Sequence, residues 1–412
     1  MASPEIYLSA FAVAKSLMQL IQSPVMMVRQ AVTSLVKDSE SYYKVRRFII
    51  AVVAMVVGIF AIMAFSGLGR WVFENIMGIK GDILDKAVIT LRVLMLFPAA
   101  VTLRSFMQGI AIKFEKNPVI TVGTTMRIIF VTLMVIFINK IPLPGAVIAG
   151  LMFLGAVTVE ALVVFIGTKV LIKDIPDGLD RMKNISEVKG QKVTNNLILT
   201  FFTPLAATAL IRTLAKPIIN TGLARTPSPE VAISAYAVAW GLGIIFVSPL
   251  MMFHQVPINY VGEKTDKNLQ AVKRFAIYLG IFLSILLSIT AFTNLGYYII
   301  RNWIGATEQI SKMSIDVLKL MSIYPIIRVA REFYWGLLMK RHMTKYISRA
   351  KVIGLIVLTI TIFVMTLIKP ANPAIIGIIG MLFSQAGEFL YLFIETKKHK
   401  DQVVEENHKK AC

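Results

Sequence analysis

Twelve ionisable residues stand inside long apolar runs where water cannot solvate them. Lys15, Arg92, Arg104, Arg127, Arg212, Lys319, Arg328 and Arg331 are basic, and Glu160, Asp316, Glu332 and Glu388 are acidic. A charge at the centre of a membrane helix costs at least about 2.5–3.5 kcal/mol, so such groups face a cavity or a partner and mark function by default. The balance is positive, and guanidinium forks grip phosphate and carboxylate oxygens two at a time. The chemistry that fits is the holding of an anion. A cation carrier needs the reverse balance.

The elements that carry these residues are membrane spans. Of 412 residues, 56% are hydrophobic and only 16% charged, against about a quarter charged in soluble domains. Runs of about 20 mainly apolar residues, the length that crosses a bilayer core, fall near 5–28, 47–66, 83–112, 118–138, 145–168, 196–219, 230–253, 274–296, 312–339, 351–368 and 374–395. The net charge of +21 is mostly topology: one set of alternate loops holds 27 Lys and Arg and the other holds 9. The rich set includes Lys351 and the tail Lys397–Lys410. It is therefore the cytoplasmic set, with the C-terminus inside. Nucleic acid drops out as a partner. What remains is the lipid bilayer and a small anionic substrate, in a cell (plasma or inner) membrane.

An internal repeat organises the spans. Ser3-Pro4-Glu5 and Ser9–Ala14 recur 225 residues later as Ser228-Pro229-Glu230 and Ser234–Ala239, and Gln30 aligns with Gln255. At an offset of 227, Phe97-Pro98 meets Tyr324-Pro325, Arg104 meets Arg331 and Gly109 meets Gly336; Glu160 meets Glu388 at 228. The second copy has a helix near 196–219 with no counterpart in the first, so eleven spans are seen of an expected twelve. That points to a sequence that starts late rather than to a dispensable helix. The expected organisation is an N-terminal lobe over 1–172, a cytoplasmic linker over 173–195, a C-terminal lobe over 196–396 and a basic tail over 397–412. An even number of spans per copy makes the repeats parallel.

Each candidate has a functional and a structural reading. Arg104 and Arg331 form a pseudosymmetric basic pair over a cavity, or anchors at the inner interface. Arg328 and Glu332 stand i,i+4 and can neutralise each other; Asp316 and Lys319 stand i,i+3 near the outer end and can snorkel. Arg212 lies deep in the helix that the first copy lacks, with Lys216 and Asn220 beyond it. Lys15 aligns with Trp240, so the repeat does not demand it. The substrate-binding candidates are Arg212, Arg331, Arg104, Lys15, Arg328 and Asn220. Glu160, Glu388 and Glu332 are candidates for ion coupling or for helix packing. Pro98 and Pro325 are candidate hinges or static kinks.

Two lobes of parallel repeats with basic cytoplasmic loops resemble the multidrug/oligosaccharidyl-lipid/polysaccharide (MOP) exporters, whose MATE-like fold is all-α and polytopic. Shorter motifs are more specific. Ala12-Val13-Ala14-Lys15-Ser16-Leu17-Met18 followed by Ser23-Pro24 resembles the second helix of the progressive ankylosis protein family. Leu94-Met95-Leu96-Phe97-Pro98 with Gly109-Ile110 and Lys113 resembles its fourth. Arg212 with Ala215-Lys216-Pro217-Ile218-Ile219-Asn220 resembles its seventh, with Lys216 where an Arg is expected. The resemblance implies export of small polyanions of the pyrophosphate, citrate and nucleotide phosphate class. A lipid-linked oligosaccharide flippase of the same superfamily and a non-transporting membrane scaffold are the alternatives.

Enzyme signatures are missing from the sequence. It has no phosphate-binding Gly-Lys-Ser/Thr loop, no Ser-His-Asp set and no paired His ligands. The one cysteine, Cys412, excludes a disulfide framework. The expectation is a secondary or facilitative transporter that is not an enzyme and needs neither cofactor nor metal.

Overall fold

The computed structural model describes residues 4–138, 143–185, 193–261, 266–340 and 343–411. Ser3, Lys140, Lys189, Gly190, Lys192, Lys264, Arg341 and Cys412 lie outside the described residues, as do the side chains of Lys183, Lys267, Lys400, Lys409 and Lys410.

Among the described residues every regular element is helical. Hydrocarbon offers the backbone no partner, so each N–H and C=O must be satisfied within its own segment. Two compact units emerge, Met1–Thr213 and Leu214–Cys412. The first contains α1 (Pro4–Ile21), α2 (Val28–Leu35), α3 (Ser39–Phe65), α4 (Leu68–Trp71), α5 (Gly81–Val93), α6 (Phe97–Lys113), α7 (Pro118–Phe137), α8 (Gly145–Leu171) and α9 (Ile175–Ile185). Helix α10 (Asn195–Leu223) carries the boundary. The second unit continues with α11 (Pro229–Val247), α12 (Gln255–Tyr260), α13 (Asp266–Phe292), α14 (Asn294–Tyr298), α15 (Glu308–Met321), α16 (Tyr324–Lys340), α17 (Thr344–Ile368) and α18 (Ile375–Ala411). The result is an all-α polytopic membrane fold of two helical lobes.

Nine helical segments among the described residues are long and apolar enough to cross a membrane, or ten if the bent pair Pro4–Ile21 and Ser23–Leu35 is one span. Eleven were expected from the apolar runs. The difference lies at 312–339, which folds as α15 and α16 with a break between them. Asp316, Lys319, Arg328, Arg331 and Glu332 interrupt its apolar character. The 5–28 run is also not one straight helix. It bends by 63° where Ser23–Met27 tightens into a 3-10 turn with Pro24 in its first turn, because proline has no N–H to continue the ladder.

The repeat is visible in these irregularities. The second unit has the same 3-10 turn at Ser248–Met252, with Pro249 in its first turn. A π-helical turn at Val72–Ile76 recurs at Ile299–Trp303. Helix α3 shows how a span divides its surface. Val45, Ile49, Val52, Val56 and Phe60, spaced three to four apart, are buried, while Ile50, Met55, Ile59 and Ile62 stay exposed. In a bilayer that outer face meets lipid tails as apolar as itself, so exposure there costs nothing.

The segment expected as a linker contains α9, which is tied to the start of α3: Asp180 Oδ1 accepts from the Ser39 backbone N–H at 2.9 Å. The same helix end is capped by Asp38, whose carboxylate accepts from Ser41 N–H at 2.8 Å while the Ser41 hydroxyl accepts from Asp38 N–H at 2.9 Å. Such a reciprocal box satisfies two amides that the helix leaves over. Asp38→Ala is expected to cost about 1 kcal/mol, read as a lower thermal unfolding midpoint of the purified protein; an unchanged midpoint means the cap is not holding α3.

Candidate functional site

The charged residues of the second unit converge on α16. Arg331 Nη1–H donates to Glu388 Oε2 on α18 at 2.8 Å, and its Nη2–H donates to the neighbouring Glu332. Arg328, one turn earlier, pairs with Glu332 Oε1 at 2.9 Å and donates to Gln385 Oε1 at 3.3 Å. From α17, Lys351 Nζ donates to Glu388 Oε2 at 2.6 Å. His254, just before α12, meets Glu332 Oε2 through Nδ1 at 2.7 Å. The Trp335 ring lies beneath three of these groups, 4.9 Å from the Arg331 guanidinium, 4.8 Å from Lys351 Nζ and stacked on His254 at 5.6 Å. Arg331 and Glu332 are each only 1% exposed. Three basic side chains therefore share two carboxylates, in a buried setting where charges are screened less than in water.

Glycine lets this layer form. A Cβ on Gly336 would stand 2.5 Å from the His254 carbonyl oxygen, so α16 touches the start of α12 backbone to backbone. The equivalent Gly109 would place its Cβ 3.2 Å from the Arg29 carbonyl and 2.8 Å from Val32. The two copies thus use the same contact, and it is this contact that delivers His254 to Glu332.

The first unit holds a simpler version. Glu160 on α8 accepts from Arg104 on α6 at 3.0 Å, from Arg127 on α7 at 3.1 Å and from Gln108 at 3.2 Å. Two cations here share one carboxylate. Arg104 and Arg331 each meet the repeat-equivalent acid of their own unit. Arg104, Arg328 and Arg331 also each keep a buried Nε without a hydrogen-bond partner.

The other candidates lie apart from these clusters. Lys15 on α1 places Nζ 4.5 Å from the centre of the Phe153 ring and 5.4 Å from that of Phe11, a cation–π arrangement. On α10, Arg212 is exposed and Asn220 is buried. Asp316 and Lys319 pair at 3.3 Å, and Asn372 also donates to Asp316. Arg92 caps a helix end by donating to the Ala64 carbonyl at 3.1 Å. Pro98 and Pro325 are the second residues of α6 and α16. Each follows a break already made, at the 3-10 turn Leu94–Leu96 and after Met321.

Lys351 corrects the loop assignment. It stands at the first position of the apolar run near 351–368, which sorted it with the cytoplasmic loop residues. Helix α17 starts at Thr344, so Lys351 lies two turns inside and is 8% exposed. His254, Gln108 and Gln385 were not among the sequence candidates. One signal did point to His254: at the 225 offset it occupies the place of Arg29, a second basic residue directly before the matched Gln30 and Gln255.

A family model described as progressive ankylosis protein (ANKH) matches residues 185–394, about half of the chain. The chain belongs to the progressive ankylosis protein family. The matched region contains His254, Arg328, Arg331, Glu332, Lys351 and Glu388, so the charge network of this ANKH-family protein lies within it. Solved structures agree on the fold. An inward-facing multidrug resistance MATE family transporter of the MOP superfamily aligns with a TM-score of 0.74 at 12% identity, over 98% of this chain and 96% of that one. The lipid II flippase MurJ in an inward closed conformation aligns with a TM-score of 0.61 at 15% identity, over 95% and 81%. A MOP superfamily transporter from Pyrococcus furiosus, described as having a binding pocket of reverse polarity that suggests a different function, aligns with a TM-score of 0.56 at 14% identity, over 96% and 88%. The ANKH-family chain thus has the fold seen in these MOP superfamily transporters and in the MurJ flippase.

Proposed function

We propose that this protein exports small polyanions of the pyrophosphate, citrate and nucleotide phosphate class by alternating access between its two lobes, from a plasma or inner membrane with the C-terminus in the cytoplasm. The observation that carries the reading is the cationic excess around α16, where Arg328, Arg331 and Lys351 outnumber Glu332 and Glu388. A buried centre of that sign favours a multiply charged anion and disfavours a cation. The unpaired Nε donors of Arg104, Arg328 and Arg331 add hydrogen-bonding capacity of the kind that phosphate and carboxylate oxygens use. Arg212, Lys15 and Asn220 extend the candidate set along α10 and α1. Glu160, Glu332 and Glu388 hold the cations in place, and Pro98 and Pro325 sit where α6 and α16 restart, positions suited to rocking.

The full chain in proteoliposomes is expected to move pyrophosphate, citrate or ATP. Arg328→Ala and Arg212→Ala are each expected to lower the flux about tenfold, the kinetic equivalent of losing one charged hydrogen bond. No flux of any of the three anions, or flux unchanged in both variants, overturns the reading. A second reading, a flippase for lipid-linked oligosaccharides, draws on the fold shared with MurJ. Movement of such a lipid in the same vesicles, without anion flux, would establish it. Absence of both activities would leave the scaffold reading.

A further inference from the structure

We propose that His254, hydrogen-bonded to Glu332, is a proton-binding site of the second unit, and that its occupation strengthens anion binding at the α16 cationic centre. The second half rests on the polyanion-transport reading; the proton site stands without it.

The geometry specifies where the proton goes. Glu332 is already engaged through Oε1 by Arg328 and Arg331, and it offers Oε2 to His254 Nδ1 at 2.7 Å. An ionised carboxylate only accepts, so Nδ1 carries the hydrogen of the neutral ring and Nε2 is left as the acceptor. Gln255 Nε2 stands 3.5 Å from His254 Nε2. The His254 side chain keeps 16% of its surface accessible while Glu332 keeps 1%. A proton from water therefore enters on Nε2 and yields an imidazolium whose Nδ1–H still faces Glu332. No other bond is made or broken. Histidine is the side chain whose ordinary titration lies between pH 5 and 8.

The surroundings make that charge count. From α16, His254 faces Glu332, Arg328 and Arg331, and it stacks on Trp335. From α17, Lys351 Nζ lies over the same Trp335 ring, and from α18 Glu388 pairs with Arg331 and Lys351. Toward α13 the packing beside His254 is apolar, through Phe253 against Val272, Ala276 and Leu283. Toward α11, Trp240 packs on Tyr324. At the far end of α12, Lys340 donates to the Ile258 and Val261 carbonyls. With His254 neutral, three basic side chains face two carboxylates. A proton on His254 adds one positive charge, and the buried site then gains more from an added anion than it did before.

The pair is not a demand of the fold. The positions equivalent to His254 and Glu332 in the first copy, at offsets of 225 and 227, hold Arg29 and Ser105. The backbone contact through Gly109 is nevertheless the same. The second copy has put a titratable group where the first has a permanent charge.

Trp335 supplies a reporter, because a protonated imidazole stacked on an indole quenches its fluorescence. The full chain in lipid nanodiscs, without substrate, is titrated from pH 8 to pH 5. The expected result is quenching on acidification that is absent from both His254→Gln and Trp335→Phe. Quenching retained in His254→Gln overturns the proton site. In proteoliposomes, the ratio of pyrophosphate flux at pH 6 to that at pH 8 is expected to exceed that of His254→Gln by about fivefold, the low end of ordinary two-site coupling. Pyrophosphate ionises identically in both experiments, so the difference isolates His254. Equal ratios overturn the coupling. Flux in neither protein overturns the anion reading and the coupling with it, and the fluorescence titration still decides the proton site.

Discussion

Glu388→Gln is expected to destabilise the protein by about 3–5 kcal/mol, the cost of removing one partner from a buried ion pair. The carboxylate lies between Arg331, at 2.8 Å, and Lys351, at 2.6 Å. All three side chains are less than a tenth exposed. An amide in its place leaves two buried cations facing each other with only Glu332 to offset them. The penalty is chiefly desolvation, so removing a cation as well should recover part of it. Glu388→Gln with Lys351→Met is expected to be more stable than Glu388→Gln alone, a coupling that a double-mutant cycle measures directly. The equivalent Glu160→Gln is expected to cost less, because Arg104 and Arg127 are 21% and 42% exposed and can turn toward solvent or headgroups. Thermal inactivation half-lives of the purified variants check the order. Equal losses at Glu160 and Glu388 would show that burial is not what makes the second cluster costly to break.

Gly336→Ala is expected to cost close to 3 kcal/mol, the upper part of the usual range for overpacking. Its Cβ would lie 2.5 Å from the His254 carbonyl oxygen and 3.0 Å from Pro257. A carbonyl cannot rotate aside as a side chain can, so the start of α12 must move away from α16. That movement also pulls the imidazole off Glu332. Gly336→Ala should therefore lose the pH-dependent quenching of Trp335 along with stability. Gly109→Ala meets the Val32 side chain first, at 2.8 Å, and is expected to cost less and leave the quenching intact. Full stability in Gly336→Ala would mean that the two helices do not hold each other at this point.

Much of the site was legible before any coordinates, though only as a set of charges. The intramembrane positions of Arg104, Glu160, Arg328, Arg331, Glu332 and Glu388 follow from charged residues in apolar runs. The i,i+4 pairing of Arg328 with Glu332 follows from helix geometry, and it is present at 2.9 Å. The pairing of Arg104 with Glu160 spans 56 residues and that of Arg331 with Glu388 spans 57. Periodicity says nothing about such partners. Lys351 was hidden because hydropathy locates the apolar run and not the first turns of the helix that carries it. His254 was hidden because a lone histidine beside a proline-broken helix has no pattern of its own.

Class, repeat and charge sign are properties of the chain as a string, so composition, run length and a constant offset determine them. The membrane fold, the two-copy organisation and the surplus of basic over acidic groups all belong to that level. Which cation meets which carboxylate depends on how each helix is rotated about its axis and how closely its neighbour approaches. Here that is decided by the contact of Gly336 with the His254 backbone and by the packing of α16 against α17 and α18. Only the folded molecule gathers four of the eight scattered basic residues, together with Lys351, into two clusters, and only it brings a titratable ring into one of them.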